Sequence, residues 1–274
     1  MAAITGETLV YGVIGNPVVH SLSPVIHNQA FSATSFPGIY VPFQVQDIGS
    51  AVDGVRALNI RGISVTIPHK ESIVPYLDSM DEAARQIGAV NTVVNDQGRL
   101  TGYNTDAYGA MKALSEKTVI RDKDVAIIGA GGAARAIGYG VLKEGGRPHI
   151  LNRSREKGEK LAEFLRVPFH PIEQLNQIPC DILINTTPVG MHPNVDDMPI
   201  SKKLLNDHMV VMDIIYNPIK TRLLEAAEKI GAEVINGLPM FVYQGARQFE
   251  LWTGDAAPVD LMREVVYEAL KERH

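Results

Sequence analysis

The stretch Val125-Ala126-Ile127-Ile128-Gly129-Ala130-Gly131-Gly132-Ala133-Ala134 decides the fold of this chain. A short apolar run ends in a glycine turn that fits the pattern G-x-G-x-x-A, and a helix-forming segment follows directly. The first glycine permits a tight turn, the second lets the backbone approach a pyrophosphate, and the helix start faces negative charge. A turn with only a packing role is the alternative, but the strand–turn–helix context favours dinucleotide binding. The binding residues would be Gly129, Ala130, Gly131, Gly132 and Ala133.

Strands and helices alternate strictly around this turn. The predicted strands are Val125–Ile128, His149–Leu151, Ile182–Asn185, Val210–Ile215 and Ala232–Ile235, and the predicted helices are Ala133–Glu144, Arg155–Leu165 and Thr221–Ile230. Such alternation implies right-handed crossovers and a parallel sheet. This part of the chain is therefore predicted to be a doubly wound, Rossmann-type domain.

The end of the second strand of this domain indicates which dinucleotide binds. A domain specific for NAD places Asp or Glu there, about 20 residues after the first glycine, to bind the ribose 2′-hydroxyl. This chain instead has Asn152, Arg153, Ser154, Arg155 and Lys157. Cations and hydroxyl donors suit a 2′-phosphate, whereas in an arbitrary protein they would only be a solvated helix start. The predicted cofactor is NADP.

The first hundred residues also predict an α/β layer with a mostly parallel sheet. Its strands are predicted at Leu9–Ile14, Ile39–Val45, Gly62–Ile67, Asn91–Asn95 and Leu100–Asn104, and its helices at Pro24–Ala33, Ile48–Leu58 and Met80–Ile87. The segment from Asp96 to Arg99 is predicted to be a hairpin turn. Two further helices are predicted at Met240–Thr253 and Val259–Lys271.

The composition excludes several classes of protein. With 274 residues, 45% hydrophobic and 21% charged, the chain is an ordinary globular protein, and its net charge of −5 disfavours nucleic-acid binding. The N-terminus has no signal-peptide pattern and no apolar run could cross a bilayer, so we expect a cytoplasmic protein. The single cysteine, Cys180, allows no internal disulfide and is interpreted as a small buried hydrophobe. No metal-binding pattern is present among the histidines and carboxylates.

Polar clusters follow several of the predicted strands in the first half. They are Ser21-Leu22-Ser23-Pro24, Ser64-Val65-Thr66-Ile67-Pro68-His69-Lys70, Gly88-Ala89-Val90-Asn91-Thr92 and Gly102-Tyr103-Asn104-Thr105-Asp106. Taken singly, Ser23 could be a helix cap, Asn91 a turn residue and Thr66 a β-former. Together they predict a cleft for a polyhydroxylated ligand at one edge of the sheet.

These clusters, with GAGGAAR, NRS, NTTPVGM, DIIYNP and YQGA further along the chain, resemble the shikimate dehydrogenase family from Val13 to about Phe249. The resemblance implies NADP-dependent reduction of 3-dehydroshikimate to shikimate. It also implies a substrate domain at 1–105 with C-terminal helices from 238–274 returning to it, and an NADP-binding Rossmann domain at 106–237. The expected partners are small molecules, without nucleic acid or membrane, and the chain would be a monomer or homodimer.

The resemblance assigns roles position by position. Lys70 matches the catalytic lysine, which would act as general acid, and Asp106 its carboxylate partner. The residues expected to bind substrate are Ser21, Ser23, Thr66, Asn91, Tyr216 and Gln244. Those expected beside the nicotinamide are Glu82, Ile214 and Gly237, and Asn185, Thr186 and Thr187 would lie near the cofactor.

Two departures from the family pattern and three rival functions remain. Relatives often carry Asn where this chain has Ser64, so a hydrogen bond from that position is in doubt, whereas Ser154 retains the hydroxyl of its motif. The nearest rival is a quinate/shikimate dehydrogenase of broader specificity. A non-catalytic NADP-binding regulator would be expected to lack Lys70 or Asp106, and a methylenetetrahydrofolate dehydrogenase would lack the SLSP and N-T-D motifs.

Overall fold

Two six-stranded sheets organise the chain, of which the computed structural model describes residues 4–271. The first unit contains the described residues up to Thr105 and those from Val242 onward, and the second unit is Asp106–Phe241. The C-terminal helices thus return to the first unit, and the predicted α/β fold class is confirmed.

The first sheet brings together the strand ends that carry the polar clusters. Its strands are β1 (Leu9–Gly15), β2 (Gly38–Gln44), β3 (Gly62–Val65), β4 (Ser79–Met80), β5 (Thr92–Asp96) and β6 (Arg99–Tyr103), in the order β2-β1-β3-β5-β6-β4. Strand β1 runs parallel to β2 and β3, while β5 is antiparallel to β3 and β6. The ends of β1, β3 and β6 and the start of β5 therefore share one edge of the sheet.

Three helices lie between these strands: α1 (Ser23–Ala33), α2 (Ile48–Ala57) and α3 (Glu82–Ile87). Helix α2 starts where the Asp47 carboxylate accepts a hydrogen bond from the Ser50 amide at 2.9 Å, which satisfies one free donor of the first turn. A core that includes Val52, Ile63 and Leu100 is fully enclosed, which holds the sheet and its edge in place.

The second unit is the predicted doubly wound domain. Its strands are β7 (Asp124–Ile128), β8 (Arg147–Asn152), β9 (Phe169–Pro171), β10 (Ile182–Asn185), β11 (Val210–Asp213) and β12 (Glu233–Ile235), and its helices are α4 (Asp106–Ser115), α5 (Gly132–Lys143), α6 (Arg155–Leu165) and α7 (Arg222–Lys229). All pairs are parallel in the order β12-β11-β10-β7-β8-β9. The order reverses at β7, where such folds bind their ligands.

Two helices complete the chain, α8 (Gly237–Thr253) and α9 (Val259–Lys271). The boundary between the units falls inside α8, after Phe241. In the first unit, α9 packs against α1, and Phe249 of α8 is fully buried beside Phe31 with ring centroids 5.7 Å apart. No helix within residues 4–271 is both long enough and apolar enough to cross a membrane.

The structure differs from the sequence prediction mainly at element ends. The helix predicted from Met80 begins at Glu82, because the Asp81 carboxylate caps it by accepting from the Ala84 amide at 2.8 Å. Strands β4 and β9 were not predicted, since two or three residues are too few for a periodic pattern. Cys180 packs against the core of the second unit, and burial raises the pKa of its thiol to about 12.

Candidate active site

The glycine turn after β7 has the geometry that a dinucleotide needs. Gly129 has φ of +121°, and a Cβ there would lie 2.4 Å from the Thr186 hydroxyl oxygen, so conformation and space both require glycine. A Cβ on Gly131 would meet no atom of residues 4–271 within 4 Å. Gly131, the N-cap residue of α5, has no side chain that could cap the helix, so the first amides of α5 are not satisfied by an N-cap side chain. The start of α5 therefore has open space beside Gly131, and the backbone amides of a helix N-terminus favour an anion there.

The residues at the end of β10 and just after it line this turn. The Thr186 hydroxyl donates to the Ile128 carbonyl at 2.6 Å, and its amide donates to the same oxygen at 2.9 Å. The Thr187 hydroxyl donates to the Asn185 side-chain oxygen at 2.7 Å. These bonds hold the end of β10 against the end of β7 and so support the glycine turn.

The basic strand end lies at the junction of β8 and α6. Arg153, Ser154, Arg155 and Lys157 are all exposed, and the Asn152 amide donates to the Ser154 carbonyl at 2.8 Å. Ser154 is the N-cap residue of α6, yet its hydroxyl makes no capping hydrogen bond. Within the described residues Arg153 and Lys157 form no ion pair, whereas Arg155 pairs with Glu159 at 2.8 Å. The structure thus leaves two cations and a hydroxyl available for an anionic group.

Ile214 and Gly237 lie together in the second unit. A Cβ on Gly237 would lie 2.2 Å from the Ile214 carbonyl oxygen, so no larger residue fits without moving the loop after β11. Tyr216, further along that loop, packs on Phe241 with ring centroids 4.6 Å apart. Glu82, like Ile214 and Gly237, was expected beside the nicotinamide. It is exposed at the start of α3, and its carboxylate accepts from the side-chain amide of Gln86 at 3.0 Å.

Sequence reasoning did not single out Asp213, which orders this loop. Its buried carboxylate accepts hydrogen bonds from the Asn185 amide at 3.1 Å, the Ile215 backbone amide at 3.1 Å and the Thr221 hydroxyl at 2.7 Å. Burial raises the pKa of Asp213 to about 6, against these hydrogen bonds, which lower it. The available signal was an acidic residue ending an apolar strand in the DIIYNP motif.

Two of the predicted substrate-binding residues, Asn91 and Gln244, meet at the edge of the first sheet. The Asn91 amide donates to the Thr105 hydroxyl at 2.9 Å and approaches the Gln244 side-chain oxygen at 3.5 Å. Asn91 and Gln244 are both buried. The residue just before β5 and a residue of helix α8, far apart in sequence, therefore place two carboxamides at one point.

The two serines and Thr66 belong to the same edge. The Ser21 hydroxyl accepts from the Ser23 amide at 3.2 Å, in the loop between β1 and α1. The Thr66 amide donates to the Ile14 carbonyl at 2.9 Å, which joins the end of β3 to the end of β1. Hydrogen bonds to the backbone thus order both the loop after β1, which contains Ser21, and the turn after β3, which contains Thr66.

Lys70 and Asp106 occupy the first turns after their strands. Lys70 is half-buried in the turn after β3, where its carbonyl accepts from the Val90 amide at 2.8 Å. Asp106 is buried as the first residue of α4. Within residues 4–271, no group of three or more His, Cys, Asp or Glu side chains is placed to hold a metal ion.

The doubly wound sheet, the glycine turn and the uncapped helix start place the second unit in the Rossmann class of dinucleotide-binding domains. Family models identify the chain more closely: the shikimate dehydrogenase substrate binding domain matches residues 13–93, and the shikimate 5′-dehydrogenase C-terminal domain matches residues 237–267. The chain belongs to the shikimate dehydrogenase family, as its motifs predicted.

Relatives resemble the chain over nearly its whole length. The shikimate dehydrogenase (NADP(+)) of Pyrococcus furiosus is 46% identical, over 98% of this chain and 99% of the relative. A crystal structure of a shikimate dehydrogenase in complex with NADP+ is 42% identical with a TM-score of 0.94, covering 98% of each chain. The shikimate 5-dehydrogenase of Thermus thermophilus, in complex with NADP(H) and shikimate, is 34% identical with a TM-score of 0.89, covering 96% of this chain and 100% of that one.

Proposed function

We propose that this protein is an NADP-dependent shikimate dehydrogenase, which reversibly reduces 3-dehydroshikimate to shikimate in aromatic amino-acid biosynthesis. The observation that carries the proposal is the 46% identity, over nearly the whole chain, with an enzyme named for this activity and cofactor. The polar edge of the first sheet and the glycine turn of the second support it. A quinate/shikimate dehydrogenase of broader specificity is not favoured by these relatives.

The second unit has the groups that NADP requires. The open space at Gly131 and the uncapped start of α5 suit the pyrophosphate. Arg153, Lys157 and the Ser154 hydroxyl would bind the 2′-phosphate, with Asn152 and Arg155 beside them. Ile214 and Gly237, together with Glu82, are assigned to the nicotinamide. When bound, NADPH supplies the hydride.

Lys70 is the proposed general acid. Reduction of a ketone builds negative charge on the carbonyl oxygen, which needs a nearby positive charge and then a proton. An ammonium group at Lys70 supplies both, and in the reverse direction the neutral amine takes the hydroxyl proton. Asp106 is assigned the partner carboxylate, which accepts from a substrate hydroxyl and orients the substrate.

Hydroxyl and carboxamide groups bind the rest of the substrate in this proposal. Ser21 and Ser23 hold the carboxylate by hydrogen bonds, and no arginine is needed. Thr66, Asn91, Gln244 and Tyr216 bind the remaining polar groups of the ring. A set of neutral donors and acceptors suits a polyhydroxylated acid, because each ring hydroxyl both donates and accepts.

Absorbance at the nicotinamide band tests the function. Purified protein would be given shikimate or quinate, each with NADP or NAD. Reduction of NADP with shikimate alone is the expected result. Equal use of quinate or NAD would indicate the broader enzyme, and NADPH binding without turnover would indicate a regulator.

A lysine variant tests the catalytic assignment. Lys70→Ala is expected to lower kcat by about a hundredfold or more, because general acid catalysis contributes on that scale. Its NADPH affinity, measured by fluorescence titration, should be unchanged. Lys202→Ala removes the same charge from an exposed position and serves as the control. Turnover of the Lys70 variant close to that of the unsubstituted protein would contradict the assignment.

We also propose that the enzyme works in the cytoplasm as a monomer or homodimer, without nucleic-acid or membrane partners. The net charge of −5 supports the absence of a nucleic-acid partner, because phosphate backbones attract basic surfaces. Light scattering on a size-exclusion column would distinguish the two assembly states.

A further inference from the structure

A buried polar network lies behind the edge of the first sheet. It consists of His27, Tyr40, Ser64, Thr92 and Gln248, hereafter the Gln248 network, and none of these side chains is more than 6% exposed. Burying a polar group costs free energy of folding unless the group is hydrogen-bonded, so each donor and acceptor of this network is expected to have a partner. The proposed function does not use Gln248, His27 or Tyr40.

Gln248 uses all of its hydrogen-bonding capacity. Its Oε1 accepts from the Ser64 hydroxyl at 2.8 Å and from His27 Nε2 at 3.2 Å. Its Nε2 donates to the Thr92 hydroxyl at 3.0 Å and to the Asn91 carbonyl at 3.2 Å. A carboxamide has two donor hydrogens and two acceptor sites, so the four bonds fix the orientation of the group.

The neighbours of Gln248 are consistent with that orientation. The Tyr40 hydroxyl donates to Ser64 at 2.6 Å, which directs the Ser64 proton toward Gln248. His27 must carry its proton on Nε2 to donate to Oε1, and its Nδ1 then has no hydrogen-bond partner within the part of the chain that the structure describes. Burial lowers the pKa of His27 to about 3, so the ring stays neutral and donates through Nε2 alone.

The network continues through Thr92 to Asn91. The Thr92 hydroxyl accepts a hydrogen bond from Gln248 Nε2 and donates one to Asn91 Oδ1 at 2.8 Å. The Thr105 amide also donates to Asn91 Oδ1 at 2.8 Å. Two donors fix the oxygen side of the Asn91 carboxamide, so its NH₂ group faces Thr105 Oγ1 and Gln244.

We infer that Gln248 is a positioning residue for the substrate site: through Thr92 and the Asn91 backbone it sets the carboxamide of Asn91 and the place of Gln244, one helical turn earlier on α8. The inference rests on the proposed function, in which Asn91 and Gln244 bind the substrate. Residues four apart share a helix face, so the turn of α8 that binds the start of β5 through Gln248 also carries Gln244.

Ser64 and Gln248 are matched in size. Ser64 is buried and its hydroxyl lies 2.8 Å from Gln248 Oε1, so a longer side chain at this position would collide with Gln248. The hydroxyl is committed to Tyr40 and Gln248. We therefore assign Ser64 to the support of Asn91 and not to a contact with the substrate.

Steady-state kinetics of Gln248→Leu and Thr92→Val test the inference. Leucine has a similar volume without the hydrogen bonds, and valine removes only the hydroxyl that joins Gln248 to Asn91. Both variants are expected to raise the KM for shikimate about tenfold, on the scale of one lost hydrogen bond, with the KM for NADP unchanged. Arg247→Leu, at the exposed position beside Gln248, is the control and should leave both values unchanged.

A double-variant cycle separates positioning from general stability. In an Asn91→Ala background, Gln248→Leu should raise the KM for shikimate by a smaller factor than it does alone, because only its effect through Gln244 remains. Ser64→Asn should raise the KM for shikimate, because the longer side chain collides with Gln248. The double variant Ser64→Asn/Gln248→Ala should have a lower KM for shikimate than Ser64→Asn, because the collision is removed.

The outcomes are distinct. Unsubstituted protein that does not oxidise shikimate would contradict the proposed function. Unsubstituted protein that does, with Thr92→Val and Gln248→Leu lowering the melting temperature but not changing the KM for shikimate, would overturn the inference alone. If Gln248→Leu fails to fold, Thr92→Val decides.

Discussion

At the scale of single residues, Arg153 shows how the surroundings of a cation bear on its role. It lies one position before the N-cap residue of α6, is exposed, and forms no ion pair among the described residues. Arg155, two positions later, is held by Glu159. Of the two arginines at this helix start, Arg155 is ion-paired and Arg153 forms no ion pair among the described residues. Arg153 is therefore the better candidate for binding the 2′-phosphate.

Arg153→Ala should raise the KM for NADP strongly and change the KM for NAD little, because only NADP carries the phosphate that a guanidinium can bind. Kinetics with the two cofactors under saturating shikimate measure the difference. Lys160→Ala removes a nearby charge from the exposed side of α6 and should leave the ratio of the two values unchanged. Equal effects of Arg153→Ala on both cofactors would refute the phosphate role.

At the scale of elements, Asp213 joins two strands and a helix. It ends β11, accepts from Asn185 at the end of β10, and accepts from Thr221, which caps α7 by accepting from the Leu224 amide. Its third bond, from the Ile215 amide, shapes the loop that carries Ile214 and Tyr216. One buried carboxylate thus orders the loop that the proposed function assigns to cofactor and substrate.

The pKa of Asp213 gives a pH dependence of stability. In the folded protein it is raised from 3.8 to about 6, so the folded state binds the proton more tightly than the unfolded state. Its contribution to the free energy of unfolding is full below about pH 3.8 and is lost as pH rises through about 6. A shift of this size corresponds to roughly 2–3 kcal/mol.

Asp213→Asn should remove this dependence while keeping hydrogen bonds to Asn185 and Ile215 through its side-chain oxygen. Denaturant unfolding followed by circular dichroism, between pH 4 and pH 7, measures it. The stability of the unsubstituted protein relative to the variant should fall across this range. The exposed carboxylate of Asp207 provides the control variant Asp207→Asn. A constant difference between unsubstituted protein and Asp213→Asn would contradict the assigned shift.

At the scale of the whole molecule, each unit has its own sheet and its own enclosed core. The proposed cofactor groups after β7 and β8 belong to the second unit, and the Asn91 and Gln244 edge belongs to the first. The two ligands are therefore expected to stabilise different sets of hydrogen bonds.

NADPH at a hundredfold excess over its Kd should stabilise the folded state by about 2.7 kcal/mol, because it binds only that state. Amide hydrogen exchange should slow most at the start of α5 and at the junction of β8 and α6. Shikimate should instead protect the segments that follow β3 and precede β5. Protection by NADPH confined to the first unit would contradict the cofactor assignment.

Much of the architecture was predictable because it depends on neighbours in sequence. The Gly129 turn, the basic strand end at Arg153 and the alternation of strands and helices are local patterns, and the family motifs that contain them are confirmed by the relatives. Strand β4 was not predicted, because two residues are too few to show the alternating pattern of a strand. The roles of individual site residues stay predictions until the variants are measured.

The sequence alone determined the α/β class, the Rossmann turn and the family, and it predicted a preference for a 2′-phosphate, since each follows from residue types at short, regular spacing. Only the tertiary structure decided which groups Asp213, Ser64 and Gln248 contact. Gln248 and its partner Thr92 are 156 positions apart, and no local pattern pairs them. A buried polar group can be satisfied only by what folding brings beside it, so its role is a property of the packed core and not of the surrounding sequence.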